Sequence, residues 1–283
     1  AEVVEARRAA TIVISAPHPP SGNRHSTAFS ERVGRQFGRH ASGYDAQARL
    51  QRGVAWRLAH GFDRQKPRLP RGPMADLGAG SGSLSRALIS HGDSITGRPL
   101  QQLDICPELL ALGPAAPAHR LRWDLNRGLP AGLGSAALLA SNFALQWLES
   151  PTIQLTHWCD HLAPGGWLLL GVPTAGSYPQ WRQAAAVAGV PCTALELPTA
   201  NELIAVVRGG GLELLHCQQL RFTHRHYGGL KTLRHLRGLG AGCSRGAPLS
   251  PMQMRRLLAC WPDSSHLTWE VLVLVGRRAS CDW

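Results

Sequence analysis

Short apolar runs alternate along this chain with stretches in which apolar residues return every three or four positions, punctuated by glycine and proline. From Phe29 to Phe62 the spacing is helical: Val33 and Phe37, then Leu50, Val54 and Leu58 at intervals of four, with Gly43-Tyr44 at the joint between two helices. Pro67 and Pro70 mark a loop, and Pro73-Met74-Ala75 predicts a first strand. Leu84, Ala87 and Leu88 then return at helical spacing behind a glycine turn. A second strand is expected over 100–103, followed by a helix opened by Pro107, where the missing N–H costs nothing. A third strand runs toward Asp124 and a fourth covers 135–140. Ile153, Leu155, Trp158 and Leu162 predict a helix stopped by Pro164-Gly165-Gly166, before a fifth strand over 167–172. Helices around 181–187 and 201–207, strands over 212–222 and 267–275, and two helical stretches within 226–265 complete the pattern.

That alternation implies an α/β fold with a doubly wound sheet. Residues 28–283 form one domain, with helices over 28–66 leading into it. Segments 174–198 and 226–265 interrupt the alternation and are expected to act as lids over the carboxyl edge of the sheet. Residues 1–27, rich in Pro, Ser and His toward their end, are expected to be a poorly ordered extension without the apolar core of a signal peptide.

Composition narrows the picture. The 283 residues carry a net charge of +12, which favours an acidic partner or substrate. The seven cysteines are scattered and never paired as C-x-x-C, arguing against a disulfide framework or zinc site and for a reducing compartment such as the cytoplasm. No run of about eighteen apolar residues offers a membrane span. No nucleic-acid module and no basic patch interleaved with aromatics is present, so no nucleic-acid partner is expected.

The candidate chemistry starts at Asp76-Leu-Gly-Ala-Gly-Ser-Gly82, a glycine turn between the first strand and its helix. Its glycines are expected to let backbone N–H groups approach a ligand. A phosphate site has little use for the acidic Asp76, whereas a cationic, amine-bearing ligand does. Asp104, at the tip of the second strand, stands at the spacing where a carboxylate receives ribose hydroxyls. Asp124 ends the third strand and suits an adenine amino group. Each of the three carboxylates also fits a helix cap, and the glycine turn also fits a plain βα connection.

The turn resembles the D-x-G-x-G-x-G pattern of S-adenosylmethionine-dependent methyltransferases. Four further stretches narrow the resemblance to one family, the malonyl-acyl-carrier-protein O-methyltransferases of biotin synthesis. These are Phe37-Gly-Arg-His-Ala-Ser-Gly-Tyr44, Ser141-Asn-Phe-Ala-Leu-Gln-Trp147, Leu233-Arg-His-Leu-Arg-Gly-Leu-Gly-Ala241, and Cys260-Trp261-Pro262 with Leu267-Thr-Trp-Glu270. The chain departs from that family at Ala79 and Ser81, at Asp124-Leu-Asn126, and at Asp160-His-Leu-Ala163, where basic residues are usual.

The resemblance implies a class I methyltransferase fold and S-adenosylmethionine as cofactor. It implies Asp76, Gly78, Ala79 and Gly80 around the methionine moiety, Asp104 and Ile105 at the ribose, and Asp124 and Leu125 near the adenine. Tyr44, Asn142, Gln146 and Trp147 are implied around methyl donor and acceptor. The acceptor is expected to be the malonyl carboxylate of an acidic acyl carrier protein, docked by Lys231, Arg234 and His235 on one helix face, with Leu230, Leu233 and Leu236 opposite. A carboxylate is deprotonated at neutral pH, so no general base is needed. An RNA or small-acid methyltransferase, and a binding protein without turnover, are the competing readings.

Overall fold

A computed structural model describes residues 24–91, 95, 97–225, 228–262 and 266–280 of the chain. Helices α1 (Arg24–Arg39), α2 (Ala41–Gln47) and α3 (Arg49–Asp63) come first. Helix α1 starts inside the segment expected to be unstructured; residues 1–23 lie outside the described residues. Tyr44 sits within a helix of its own rather than at a joint, its carbonyl accepting from the Ala48 N–H at 2.8 Å.

Then follow β1 (Met74–Leu77), α4 (Ser83–His91), β2 (Leu100–Asp104), α5 (Pro107–Leu110), β3 (Arg120–Arg122), β4 (Ala136–Asn142) and α6 (Pro151–Asp160). The second half holds β5 (Leu162–Pro173), α7 (Pro179–Ala188), α8 (Ala200–Gly209), β6 (Leu212–Arg225), α9 (Gly228–Gly238), α10 (Pro251–Ala259) and β7 (His266–Arg278). Leu162, expected on a helix, instead begins β5 and pairs with Ala136. The register then jumps to Leu138 opposite Trp167, so Pro164-Gly165-Gly166 bulges out of the strand instead of preceding it.

The seven strands lie in the order β3-β2-β1-β4-β5-β7-β6. β7 runs antiparallel to both neighbours, while β1 to β5 are mutually parallel. Successive side chains fall on opposite faces: Val271, Val273 and Val275 join the core beneath α3 and α4, Leu272 and Leu274 the core beneath α6 and α8. Coverage on both faces explains why the central strands read as unbroken apolar runs. The chain winds outward through β2 and β3, then returns to start β4 on the other flank of β1. The crevice beyond the carboxyl ends of β1 and β4 is therefore the topological switch point, where ligands sit in open α/β sheets.

The two insertions pack on each other. Ala184, Ala185 and Ala188 of α7 meet Leu257 of α10, Trp261 and Leu233 of α9. The buried stripe of α9 differs from expectation: Leu230 is 47% exposed, while Thr232 and Leu236 are 1% and 3% exposed. The cause is Gly229, whose missing Cβ lets the Trp261 indole lie against the backbone; a Cβ there would come within 2.6 Å of the ring.

Candidate active site

The glycine turn is built differently from the sequence expectation. Gly78 and Ala79 both donate to the Leu103 carbonyl, at 2.8 and 2.9 Å, and Gly80 donates to Asp104 Oδ2 at 2.8 Å. These three N–H groups are held by β2, so they do not reach toward a ligand. What the glycine at 78 supplies is space and conformation. Its φ is +69°, and a Cβ would lie 2.1 Å from the Cβ of Ala144.

Asp76 is 1% exposed, and its Oδ2 accepts from the Ser85 N–H at 3.1 Å and hydroxyl at 2.7 Å. Gln102 Nε2 donates to the same Ser85 oxygen at 2.8 Å, fixing the hydroxyl hydrogen toward the carboxylate. Burial pushes the Asp76 carboxyl up to about 7; the Ser85 bonds oppose the rise and the nearby Asp104 charge adds to it. A cation placed in this cleft would restore the ionised form. Asp104 accepts through both oxygens, from Gly80 and from the Cys106 N–H at 2.8 Å. Burial raises its carboxyl also, against those same bonds. Each oxygen retains a second lone pair, so ribose hydroxyls remain compatible with the bracing role.

Asp124 shows the capping reading and also borders the cleft. It caps a short 3-10 turn, its Oδ1 accepting from Asn126 N–H and Nδ2 at 3.0 Å each, and it lines the same cleft. Asn126 Nδ2 also donates to Ser30 Oγ at 2.8 Å, tying α1 across the mouth of the site. Ala79, Ile105 and Leu125 complete the apolar wall of a cleft of about 860 Å³. Three carboxylates and an apolar lining fit a nucleoside carrying a cationic tail.

The same cleft includes Tyr44, Asn142 and Trp147. Phe37 stands edge-on between Tyr44 and Trp147, with ring centroids 6.0 and 5.7 Å away. Burial, with the Asp104 charge, holds the Tyr44 hydroxyl far above its ordinary range, so it stays a neutral donor. Asn142 Nδ2 donates to the Gln51 carbonyl at 2.9 Å, leaving its buried Oδ1 without a protein partner.

Gln146 lies outside this cleft, in an adjoining chamber of about 600 Å³. The two cavities share Phe37, Tyr44, Gln51, Phe143 and Trp147 as walls. Gln146 Nε2 donates to the Phe143 carbonyl at 2.8 Å, and its Oε1 is a second buried acceptor without a protein partner. Phe143 itself has φ +57°, a left-handed conformation that costs a non-glycine residue about 1–3 kcal/mol and gathers at functional sites.

Sequence reasoning missed the far walls of this chamber: Tyr178, Trp181 and Trp269. Tyr178 is held at φ +62° by its N–H donating to the Thr268 carbonyl at 2.8 Å, and its ring meets Trp269 edge-on at 4.7 Å. Residues 178 and 269 come together only through the pairing of β5 with β7, which no local motif announces. Asp45 was missed as well; it accepts from Ser81 Oγ at 2.5 Å, pinning α2 to the glycine turn.

Of the docking residues, Lys231 and Arg234 are exposed on α9. His235 is not part of a cationic face. It is half-buried and stacks on His224 at 5.6 Å with ring planes 9° apart, and burial and that neighbour hold it below the usual histidine range.

No protein-family model matches the chain. It is 31% identical over 236 residues to the biotin biosynthesis bifunctional protein BioCD of Bordetella avium, covering 80% of this chain but only 48% of that protein. It is 28% identical over 236 residues to the malonyl-[acyl-carrier protein] O-methyltransferase of Herminiimonas arsenicoxydans, covering 83% of this chain and 84% of the other. A shorter match, 39% identical over 119 residues, joins it to a trans-aconitate 2-methyltransferase of Streptomyces avermitilis, covering 38% of this chain and 42% of that one. Among solved structures, a putative methyltransferase of Bacillus halodurans superposes with a TM-score of 0.54 at 11% identity, covering 79% of this chain and 99% of the other. The fold is that of the class I S-adenosylmethionine-dependent methyltransferases, and the sequence relatives that match about four fifths of this chain include malonyl-[acyl-carrier protein] O-methyltransferases.

Proposed function

We propose that this enzyme methylates a free carboxylate, that of malonyl-acyl carrier protein, to give a methyl ester. One observation carries the reading: among the described residues, no Asp, Glu, His or Lys lines the chamber next to the donor cleft. The phenols of Tyr44 and Tyr178 and the thiol of Cys243 stay protonated, since burial raises all three above their ordinary range. An acceptor that must lose a proton finds no group there to take it. A carboxylate arrives already deprotonated.

S-adenosylmethionine, when bound, supplies an electrophilic methyl on a sulfonium. Asp104 and Asp124 would hold its ribose and adenine ends, and Asp76 would supply negative charge at the methionine end; all three line the cleft. Tyr44, Phe143 and Trp147 stand between the cavities and keep water from the reacting pair. Asn142 Oδ1 and Gln146 Oε1, one on each side of that wall, are acceptors that ligand N–H groups would satisfy. Residues 174–198 and 228–262 would close the chamber as lids, contributing Tyr178, Trp181 and Leu236. The product would be an acid disguised as a neutral ester, suited to chain-extending reactions that take an apolar end and so to biotin synthesis.

The trans-aconitate 2-methyltransferase match favours a second reading, a small free polycarboxylic acid as acceptor. Purified protein with labelled methyl donor, offered malonyl-acyl carrier protein, malonyl-coenzyme A, trans-aconitate and bulk tRNA in parallel, tests both. Label is expected on the malonyl thioester. Label confined to aconitate would transfer the assignment to the small acid, and label on tRNA would end the carboxylate reading.

A further inference from the structure

The acceptor chamber continues past the lids. Trp181, Thr193, Leu236, Gly242 and Cys243 are shared between it and an open groove of about 1500 Å³ that reaches the surface between α1 and α9. Arg32, Arg35 and Arg39 of α1 line that groove with Arg237 of α9, and all four are exposed. Positions 32, 35 and 39 recur at i, i+3 and i+7, so the three arginines of α1 share one face. Among the described residues, no Asp or Glu lines the groove. Among the described residues, Arg35 with Glu31 at 3.5 Å is the ion pair formed by this group, and both partners are more than half exposed. Arg32 donates to the Ser244 carbonyl at 3.2 Å and lies over the Phe29 ring at 5.4 Å. The floor is apolar, with Leu233, Leu249 and Met254.

Like charges gathered on one helix face repel one another. As a merely solvated face the cluster has no reason to border an apolar channel running to the acceptor site. An elongated ligand with an anionic group at one end and a carboxylate at the other accounts for both features. Resting on the carboxylate-acceptor reading, we propose that this groove receives the phosphate-bearing pantetheine arm of the carrier thioester. The phosphate lies against the arginines, whose planar forks suit phosphate oxygens. The arm crosses the apolar floor, and the malonyl end enters the chamber. The carrier protein then docks over α1, away from Lys231 and Arg234.

The test uses three acceptors: malonyl-acyl carrier protein, free malonyl-phosphopantetheine, and malonyl-pantetheine lacking the phosphate. In the variant Arg32→Glu/Arg39→Glu/Arg237→Glu, KM for both phosphate-bearing acceptors is expected to rise at least about tenfold, since several charge-assisted contacts become repulsive. KM for malonyl-pantetheine and affinity for the methyl donor are expected to stay within about twofold, as expected for charges that act only on the phosphate. An unchanged KM for all three overturns the proposal. A rise with the intact carrier protein but not with free malonyl-phosphopantetheine also overturns it, because the groove then reads the protein's acidic surface. Should the triple reversal lower the melting temperature, Arg32→Gln/Arg39→Gln/Arg237→Gln repeats the comparison without repulsion and is read by the same rules. If the wild type methylates no malonyl thioester, the acceptor reading fails separately. Calorimetric titration with phosphopantetheine still decides the groove: binding that disappears on charge reversal upholds it, and no binding to the wild type overturns it.

Discussion

The donor cleft and the acceptor chamber share a wall of five residues yet are built on opposite plans. The donor side is polar and local. Three carboxylates at successive strand ends are braced by backbone N–H groups, as where Asp104 ties Gly80 to Cys106. The acceptor side is aromatic and assembled from segments far apart in the chain, with Tyr178 and Trp269 brought together by the β5–β7 pairing. On the proposed reading, preorganised charge binds one fixed cofactor, while a neutral, shaped chamber selects among acceptors. Substitutions on the two sides should therefore separate cleanly in donor affinity and acceptor KM.

The largest expected effect is on the donor side. Gly78→Ala adds a Cβ 2.1 Å from that of Ala144 at a φ of +69°. Overpacking and the left-handed backbone together should cost roughly 2–5 kcal/mol of stability. Adding Ala144→Gly removes the clash but not the backbone penalty, so denaturant melts should show partial recovery. Full additivity of the two changes would mean the contact at Ala144 carries no weight.

Asp104→Ala should weaken donor binding by about 1–3 kcal/mol, the cost of losing a charged hydrogen-bonding partner. It also strands the N–H groups of Gly80 and Cys106, so the melting temperature should fall with it. Calorimetry that finds donor affinity unchanged removes Asp104 from the ribose site.

The donor side was largely legible in the sequence because its residues follow one another along strand, turn and strand. Asp76, Asp104 and Asp124 are found where the alternation of apolar runs puts strand ends. The turn's own bonding was not legible: whether Gly78 N–H faces a ligand or Leu103 depends on how β1 and β2 are juxtaposed, which spacing alone does not report. The same limit hid Asp45, whose partner Ser81 lies 36 positions away. For His235 the helical wheel gave the right face but not its neighbour, since His224 arrives from the end of β6. Leu230, read as buried, is exposed because Gly229 and Thr232 set the packed stripe.

Asp76 makes the donor side sensitive to pH. Its folded carboxyl stands at about 7 against an ordinary 3.8, so between those values the native state holds a proton that the unfolded chain has released. Its contribution to stability is therefore most favourable below pH 3.8 and declines as pH rises toward 7, the reverse of a salt-bridged carboxylate. A cationic donor selects the ionised form, so donor affinity should climb as pH rises through 7, with proton release on binding below it. Asp76→Asn should flatten both dependences. A wild-type affinity that does not move between pH 6 and pH 8, roughly one unit to either side of that midpoint, would show that Asp76 does not face the cation.

On the acceptor side, Gln146→Leu removes a buried carbonyl without a protein partner and the Nε2 bond to Phe143. Acceptor kcat/KM should fall by an amount equivalent to about 0.5–1.5 kcal/mol, the net worth of one hydrogen bond, with donor affinity constant. A drop in donor affinity of the same size would merge the two cavities into one functional unit.

The smallest effect belongs to the surface of α9, where Lys231 and Arg234 are exposed and the proposed arginine groove lies elsewhere. Exposed charge pairs are worth roughly 0–1 kcal/mol each, so only the double reversal Lys231→Glu/Arg234→Glu should be visible. Because the net charge of +12 attracts an acidic carrier from a distance, the reversal should act on encounter and not on turnover at saturation. Wild-type kcat/KM should decline as salt is raised, and the double variant should begin lower and decline less steeply. Donor affinity should not change in either protein. Equal salt profiles and equal kcat/KM would return Lys231 and Arg234 to the solvated surface and leave carrier steering to α1. A loss larger than that of the groove reversal would instead move the docking site to α9 and count against the arm lying over Arg32, Arg39 and Arg237.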